Sequence, residues 1–426
     1  MKLLASLVFF FGLSTVFAQQ VELPPQTDTP VDTSTNPITL VTPFEGGRNF
    51  FNYYAFLNGV FERGTSGINT TGVELGGGVS AFRQWASANL ALSYRGGYRA
   101  YTGSYSSGTD QDLSLLYFKR LGRRWTLTLG ENAGILLYGG VYYGQNPTLT
   151  NTIQTNPFAN ETKFAASSVV LTYQQSRRLS YAVTGAWYLS RYNVSQLPGS
   201  TSLDATGSIF YRITRRTTIS GTYGRSYYQF QRGIGTSDID SIYLTVSHQF
   251  GNRWNVGVSG GISRADSSGI AAFPFQLFPG LAPIYIVGAY HTKSTLPYFQ
   301  AFASRNWRRS SITFGGGESI TPGNGFVLTS RNIGLNGLYS YNLGRSNVSA
   351  GGYYSRLSSL SNAVATTAIS SALDVSWASN IFRHIGVNAR YDYIHYGALG
   401  SYGGTNDNRL SFGLYYSSRS IPIGLF

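Results

Sequence analysis

The chain has 426 residues, of which 51 are glycine and 15% are aromatic, whereas only 12% are charged and the formal net charge is +14. It contains no cysteine, which excludes a lipid-modified N-terminus, a disulfide framework and a thiolate metal site. So little charge beside so many glycines and aromatic residues is unusual for a soluble enzyme of this length.

The first residues have the parts of a secretory signal peptide. Residues 3–13 form an apolar stretch after a basic residue, and Val16 and Ala18 lie at the −3 and −1 positions of a cleavage site. The apolar stretch is shorter than the ~20 residues of a membrane-spanning helix. We therefore predict that residues 1–18 are a signal peptide.

Residues 19–47 differ in composition from everything that follows. Five prolines stand among threonine, aspartate and glutamine, and this composition disfavours packing. The segment is predicted to be a flexible periplasmic leader. Threading of the leader into the following domain is the alternative.

From residue 48 onward, short turns recur at a nearly constant interval. The interval is about 37 residues, which fits two tilted membrane-crossing strands, one tight turn and one modest loop. Two intervals are about 56 residues and must contain longer loops. The turns centre near Arg83, Gly122, Arg178, Arg215, Asn252, Arg308, Arg345, Arg383 and Arg419.

The segments between these turns alternate apolar and polar residues. In residues 179–190, for example, odd positions are mainly large and apolar and even positions are small or polar. The alternating runs are about 11–15 residues, longer than the ~5–6 of soluble strands. They predict an all-β fold, a transmembrane antiparallel up-and-down β-barrel of about 18 strands, or 16, over residues 48–418. Glu131 and Glu318 interrupt the apolar face and predict a bulge or an early strand end.

Tryptophan and tyrosine lie at opposite ends of the predicted strands. Tight turns are periplasmic in bacterial barrels, and amphipathic rings prefer the two membrane interfaces. Tryptophans near the turns therefore predict a periplasmic aromatic girdle, and tyrosines predict the outer one. The predicted periplasmic girdle consists of Trp85, Trp125, Trp254, Trp307 and Trp377.

Much of the positive charge lies at the same turns. This predicted periplasmic basic rim would attract anionic headgroups of the inner leaflet, or else aid solubility and folding. The basic residues are dispersed over the turns without a stripe or motif, so no nucleic-acid partner is expected. The rim consists of Arg83, Arg123, Arg124, Arg177, Arg178, Arg215, Arg216, Arg253, Arg308, Arg309, Arg345 and Arg383.

The polar register of the strands predicts a lumen lined by charges of both signs. An 18-strand cylinder is too wide for side chains alone to fill, so it encloses a water channel or a plug. The alternative is that these charged residues pair across neighbouring strands and that the barrel conducts no solute. The predicted pore-lining residues are Glu74, Arg95, Arg99, Asp204, Arg212, Asp374, Arg390, Asp392 and Arg409.

Two outer connections are longer than the rest. Residues 144–162 are rich in amides and threonine, and residues 266–293 are apolar and interrupted by prolines. An exposed apolar loop of this size is unfavourable in water. We expect one or both loops to fold inward and narrow the pore, with contact to lipopolysaccharide or a partner as the alternative.

With these features, residues 48–418 resemble the Gram-negative outer-membrane β-barrel, porin-like superfamily, without a match to one specific family. The resemblance implies an integral protein of the cell outer membrane, in contact with membrane lipids and lipopolysaccharide and assembled as a homotrimer. Phe426 resembles the terminal aromatic residue that the barrel-assembly machinery reads. Pro422 and Gly424 break the pattern before it, so residues 419–426 are predicted to be a periplasmic tail.

The predicted function is a channel for small hydrophilic solutes. A polysaccharide-export barrel and a closed structural or adhesive barrel are the alternatives. The four histidines have no triad or metal-ligand spacing, and only His395 with Asp392 near the outer rim forms a candidate pair. We therefore expect no enzyme activity, no metal and no cofactor.

Overall fold

The computed structural model describes most of the predicted barrel. The described residues are 49–64, 69–102, 107–136, 162–192, 199–251, 253–275, 284–321, 329–360, 367–397, 405–418 and 421–422. The predicted signal peptide and leader lie outside them, as do Phe426 and all but the last residue of the predicted loop 144–162.

Eighteen long strands follow one another, and the prediction of 18 strands is confirmed. A short 3₁₀ turn, Gln231–Gly233, separates two of them, and a nineteenth strand covers two residues. The strands are β1 (Phe50–Gly64), β2 (Asn69–Gln84), β3 (Ala88–Tyr101), β4 (Gly108–Arg120), β5 (Trp125–Leu136), β6 (Thr162–Gln174), β7 (Leu179–Tyr192), β8 (Ser200–Arg212), β9 (Thr217–Phe230), β10 (Gly235–Phe250), β11 (Trp254–Phe275), β12 (Ile284–Asn306), β13 (Ser310–Thr321), β14 (Ser330–Asn342), β15 (Ser346–Ser359), β16 (Thr367–Asn380), β17 (Ile385–Tyr396), β18 (Thr405–Ser417) and β19 (Ile421–Pro422).

The strands form one closed antiparallel sheet. Each of the first 17 strands pairs with the next along the chain, and β18 pairs with β1 from Asp407 opposite Gly64 to Ser417 opposite Tyr54. Closure leaves no free sheet edge, which is the condition for crossing a bilayer with strands. The predicted up-and-down barrel is confirmed. The described residues contain no helix long and apolar enough to span a membrane.

The two faces of the sheet differ in chemistry. On β8, even positions such as Asp204 and Phe210 are buried, whereas odd positions such as Leu203, 58% exposed, point away. Residues opposite each other in the register share a face, so this assignment extends around the barrel. The outward face carries the large exposed apolar side chains, as a lipid-facing surface does. We call the barrel end with the tight turns the turn end and the opposite end the loop end.

The prediction of an apolar loop at 266–293 is wrong in its bounds. The strands β11 and β12 continue through most of it as one tall hairpin, paired from Trp254 opposite Arg305 to Phe275 opposite Ile284. Apolar and β-branched residues favour strands, and Pro274 lies next to the strand end, where a missing N–H costs little. Residues 276–283 lie outside the described part of the chain.

The ends of three strands bend into the barrel. The pairing of β12 with β13 stops at Phe299 opposite Glu318, and β13 continues without β12. We call residues 319–321, 329–332 and 357–360 of β13–β15 and their flanks the inner lip. Its Thr329 hydroxyl lies within hydrogen-bonding distance of Ser267 and 3.5 Å from the Ser237 hydroxyl, and both serines are on the inward face. Among the described residues, it is therefore the ends of strands that narrow the interior of the barrel.

The two glutamates that interrupt the apolar face do not form a bulge. Pairing is continuous through Glu131, whose carboxylate accepts a hydrogen bond of 2.5 Å from the outward-facing Ser167 hydroxyl. At Glu318 only the pairing with β12 ends, and the carboxylate forms an ion pair of 2.7 Å with Arg331. A neighbouring polar side chain on the same face satisfies each glutamate, so the backbone stays regular.

Candidate functional site: the barrel interior

The predicted pore-lining residues all lie on inward positions. The register places Glu74 opposite Arg99, Gly78 opposite Arg95, and Asp392 opposite both Asp374 and Arg409. Asp204 lies on the inward face of β8, and Arg212 ends that strand at the turn end. Their role in lining a pore stays a prediction.

Four further inward carboxylates were missed by the sequence analysis. Asp110 and Asp112 lie on β4 opposite Gly97 and Arg95, and Glu62 and Asp407 lie near the loop end of β1 and β18. Asp110 and Asp112 have the same parity as the inward Ser114, so alternation on β4 was an available signal. Glu62 lies near the end of β1, where too few apolar residues follow it to show which side chains point inward.

Most inward charges occupy one side of the barrel. Away from the strand ends at the turns, the described strands carry twelve inward acidic or basic residues. Eleven of them lie on seven neighbouring strands, β16–β18 and β1–β4, and Asp204 is the twelfth. We call the eleven the charged arc. They are Glu62, Glu74, Arg95, Arg99, Asp110, Asp112, Asp374, Arg390, Asp392, Asp407 and Arg409.

Glu74 is the centre of the charged arc. Its carboxylate lies 3.3 Å from the Arg95 guanidinium, 3.3 Å from that of Arg99 and 3.9 Å from that of Arg409. Glu74 is only 3% exposed, and Arg99 is also paired with Asp110. One buried carboxylate thus holds arginines from both sides of the seam between β1 and β18.

A second row of charges crosses the seam nearer the loop end. Asp374, Asp392, Arg409 and Glu62 are opposite one another on β16, β17, β18 and β1. The Arg390 guanidinium lies 2.7 Å from the Asp392 carboxylate. Because the register brings acids opposite acids, this row has more negative than positive charge.

Some buried polar atoms of the interior have no hydrogen-bond partner among the described residues. A buried polar group without a protein partner is normally satisfied by water. Some of these atoms lie on β12–β16, and six lie on β1–β3, β17 and β18 beside the charged arc. These six are Tyr54 Oη, Thr70 Oγ1, Arg95 Nε, Asn388 Oδ1, Asp407 Oδ1 and Arg409 Nε.

The opposite side of the interior satisfies its polar groups within the wall. On the inward face of β7–β11, which we call the hydroxyl wall, hydroxyl groups pair between neighbouring strands at 2.8–3.1 Å. Such pairs need no water and carry no charge. The pairs are Ser190 with Ser200, Ser208 with Thr222, Ser237 with Ser267, Ser241 with Ser263, and Thr245 with Ser259.

An apolar cluster covers the hydroxyl wall toward the loop end. Tyr188 is 0% exposed, and it belongs to one cluster with Tyr228, Phe230 and Ile320 of the inner lip. Asp204 is buried below them, where Ser202 and Tyr228 donate hydrogen bonds of 3.2 Å and 3.5 Å. The inner lip thus packs against this side, and the charged arc lies on the other side of the interior.

The predicted basic rim and aromatic girdle lie together at the turn end. All of the rim arginines are exposed except Arg83, which is half-buried over the Trp85 ring at 5.0 Å. Arg305, which lies beside the same turns, is 5.1 Å from the Trp254 ring centre and 4.3 Å from that of Trp307. Arginine over a tryptophan face is an attractive cation–π contact.

The candidate pair of His395 and Asp392 does not form. His395 points outward, where its Nδ1 lies 2.6 Å from Asn406 Oδ1, whereas Asp392 points inward to Arg390. Residues three positions apart on one strand have their side chains on opposite faces of the sheet. In the described part of the chain, no three metal-ligating side chains come together.

Ile421 and Pro422 of the predicted periplasmic tail pair with Phe51 and Phe50. The last strand thus resumes along β1 after a short break. The rest of the tail prediction is untested, because residues 419–420 and 423–426 lie outside the described residues.

Several solved structures are similar to this chain. Pseudomonas aeruginosa OpdK with vanillate has a TM-score of 0.43 and 12% identity, over 86% of this chain and 99% of that one. Pseudomonas aeruginosa OccK2 (OpdF) with glucuronate has a TM-score of 0.42 and 11% identity, over 87% and 98%. Acinetobacter baumannii OccAB3 has a TM-score of 0.41 and 8% identity, over 87% and 99%. No protein-family model matches the sequence, and no curated protein matches it significantly.

Proposed function

We propose that this protein is an outer-membrane channel for the passage of small hydrophilic solutes. The observation that carries the proposal is the charged arc on the inward face of a closed cylinder whose outside is apolar. Charged groups inside a membrane barrel are costly unless they are paired or solvated, and they mark solute pathways. Here Glu74 is paired and the Arg95 and Arg409 side chains retain contact with solvent, at 26% and 22% exposure.

The same proposal assigns the rest of the chain. Residues 1–18 direct export, residues 19–47 remain in the periplasm, and the barrel is integral to the outer membrane of a Gram-negative bacterium. The basic rim and the tryptophans at the turn end contact phospholipid headgroups, and the loop end contacts lipopolysaccharide. The barrel-assembly machinery inserts the chain, and the functional unit is a homotrimer.

A transport role is favoured over catalysis. The inward arginines of the charged arc are in ion pairs with carboxylates, and His395 points toward the outside. An acid–base catalyst needs a titrating group within reach of a substrate proton. We propose no enzymatic activity.

A closed structural barrel is the second candidate. It is supported by the inner lip and the apolar cluster around Tyr188, which fill one side of the interior. A polysaccharide exporter is less favoured, because the inner lip narrows the interior that a polymer would traverse.

Two measurements on the purified full chain separate these functions. Stepwise conductance in planar bilayers is expected for a channel, and its absence at all voltages would refute the channel and favour the closed barrel. Liposome swelling with sugars of increasing size is expected to fall steeply with solute size. Undiminished swelling with oligosaccharides would favour the exporter. Vesicles with heat-denatured protein are the control.

A further inference from the structure

We infer that the passage prefers cations, so that its solutes are small cationic and neutral molecules and not anions. The inference rests on the proposed channel function and names its class of solute. A preference for cations is the opposite of what the overall charge of the chain, +14, would suggest.

The inward face of the described residues has twice as many acids as bases. Leaving aside Arg120 and Arg212, which end their strands at the turns, the sum is 4 − 8 = −4. The bases are Arg95, Arg99, Arg390 and Arg409. The acids are Glu62, Glu74, Asp110, Asp112, Asp204, Asp374, Asp392 and Asp407.

Pairing does not cancel this excess. Of the three arginines around Glu74, Arg99 is also paired with Asp110 and Arg95 lies opposite Asp112, and Arg390 is paired with Asp392. Glu62 and Asp407 are hydrogen-bonded neighbours. Even with one proton shared between them, the wall keeps a sum of −3, by the arithmetic −4 + 1.

The positive charge of the chain lies where it acts weakly on permeating ions. The rim arginines are exposed at the turn end, where salt screens charges beyond about 10 Å at 0.1 M. The charged arc lies instead in a passage with low-dielectric walls, which concentrates the field of its charges. The inner lip closes the uncharged side, so ions pass the charged arc.

The expected selectivity follows from the potential at the wall. A negative wall potential that lowers the energy of a univalent cation by about one RT enriches such cations roughly threefold. It depletes univalent anions by the same factor. Since the two factors multiply, we therefore expect a K⁺ to Cl⁻ permeability ratio of about seven at 0.1 M salt. The ratio should approach one near 1 M salt, where the Debye length is only about 3 Å.

The test is the reversal potential of the full chain in planar bilayers under a KCl gradient. The variant D112N with D374N removes two inward acids, and the control D238N with D240N removes two outward acids of β10. Both double variants have the same total charge. The inward variant should lower the permeability ratio about twofold or more, and the outward control should leave it unchanged.

The outcomes distinguish the inference from the channel itself. Conductance with a ratio of one or below at 0.1 M would overturn the cation preference and leave the channel intact. Absence of conductance would overturn both. Equal ratios in the two double variants would also overturn the inference, because the inward acids would then not set it. Liposome swelling should be faster with L-lysine than with L-glutamate, two solutes of similar size, and the reverse order would contradict the proposed solute class.

Discussion

The substitution Glu74→Gln tests the electrostatic centre of the interior. It keeps the shape of the side chain and removes its charge, while three guanidinium groups remain at 3.3 Å, 3.3 Å and 3.9 Å. One such pair at 3.3 Å is worth about 5 kcal/mol at an effective dielectric constant of about 20, before desolvation is subtracted. Removing one partner of a buried pair costs about 3–5 kcal/mol.

Two features of the structure reduce this cost. Arg95 and Arg409 retain 26% and 22% exposure, and Arg99 keeps Asp110 as a partner. We therefore expect a loss of about 3 kcal/mol in the free energy of unfolding. Urea unfolding in lipid vesicles, followed by tryptophan fluorescence, measures it.

The matched control is Asp266→Asn. Asp266 forms exposed pairs with Lys293 at 3.3 Å and His291 at 3.4 Å on the tall hairpin. Exposed pairs contribute about 0–1 kcal/mol, so the control should lose less than about 1 kcal/mol. A loss in Glu74→Gln no larger than that of the control would refute the assignment of Glu74 as the centre of the network.

Three further predictions concern packing. Ile320→Ala removes the contact of the inner lip with the apolar cluster, so single-channel conductance should rise. The control Ile312→Ala changes an outward-facing residue and should leave the conductance unchanged. Equal conductance in both variants would show that the inner lip does not limit the passage. Arg305→Ala loses two cation–π contacts and should lower the free energy of unfolding by about 1–2 kcal/mol, more than the exposed Arg308→Ala, and urea titration in vesicles compares them. Tyr188→Ala deletes a fully buried ring and should cost about 3 kcal/mol. The outward Tyr339→Ala should cost little, and a similar shift of the thermal unfolding midpoint for both tyrosines would contradict the packing assigned to Tyr188.

The architecture was predictable because its determinants are local. Alternation in a run such as residues 179–190 depends only on which face meets lipid, and the turns repeat at intervals that membrane thickness sets. The same local rule located Glu74, Arg99 and Asp374 on the inward face. It required no knowledge of which strands are distant neighbours.

The inner lip and the sign of the interior were not predictable in this way. Thr329 meets Ser267 across a sequence separation of 62 residues, and no pattern near either residue indicates it. The tall hairpin was misassigned because prolines and apolar residues together are typical of both loops and strand ends. Glu62 and Asp407 were missed because they lie near strand ends, where the alternating pattern is too short to show which side chains point inward.

The seam between β1 and β18 has a consequence for biogenesis. Asn388 donates a 3.2 Å hydrogen bond to Asn58 across 330 positions, and Arg409 reaches Glu74 over the intervening strand. These partners meet only when the last hairpin arrives at the first, so an incomplete chain would leave guanidinium and carboxylate groups facing hydrocarbon. Contacts of such long sequence separation form slowly. A nascent or truncated chain should therefore depend on a chaperone until its two ends have joined.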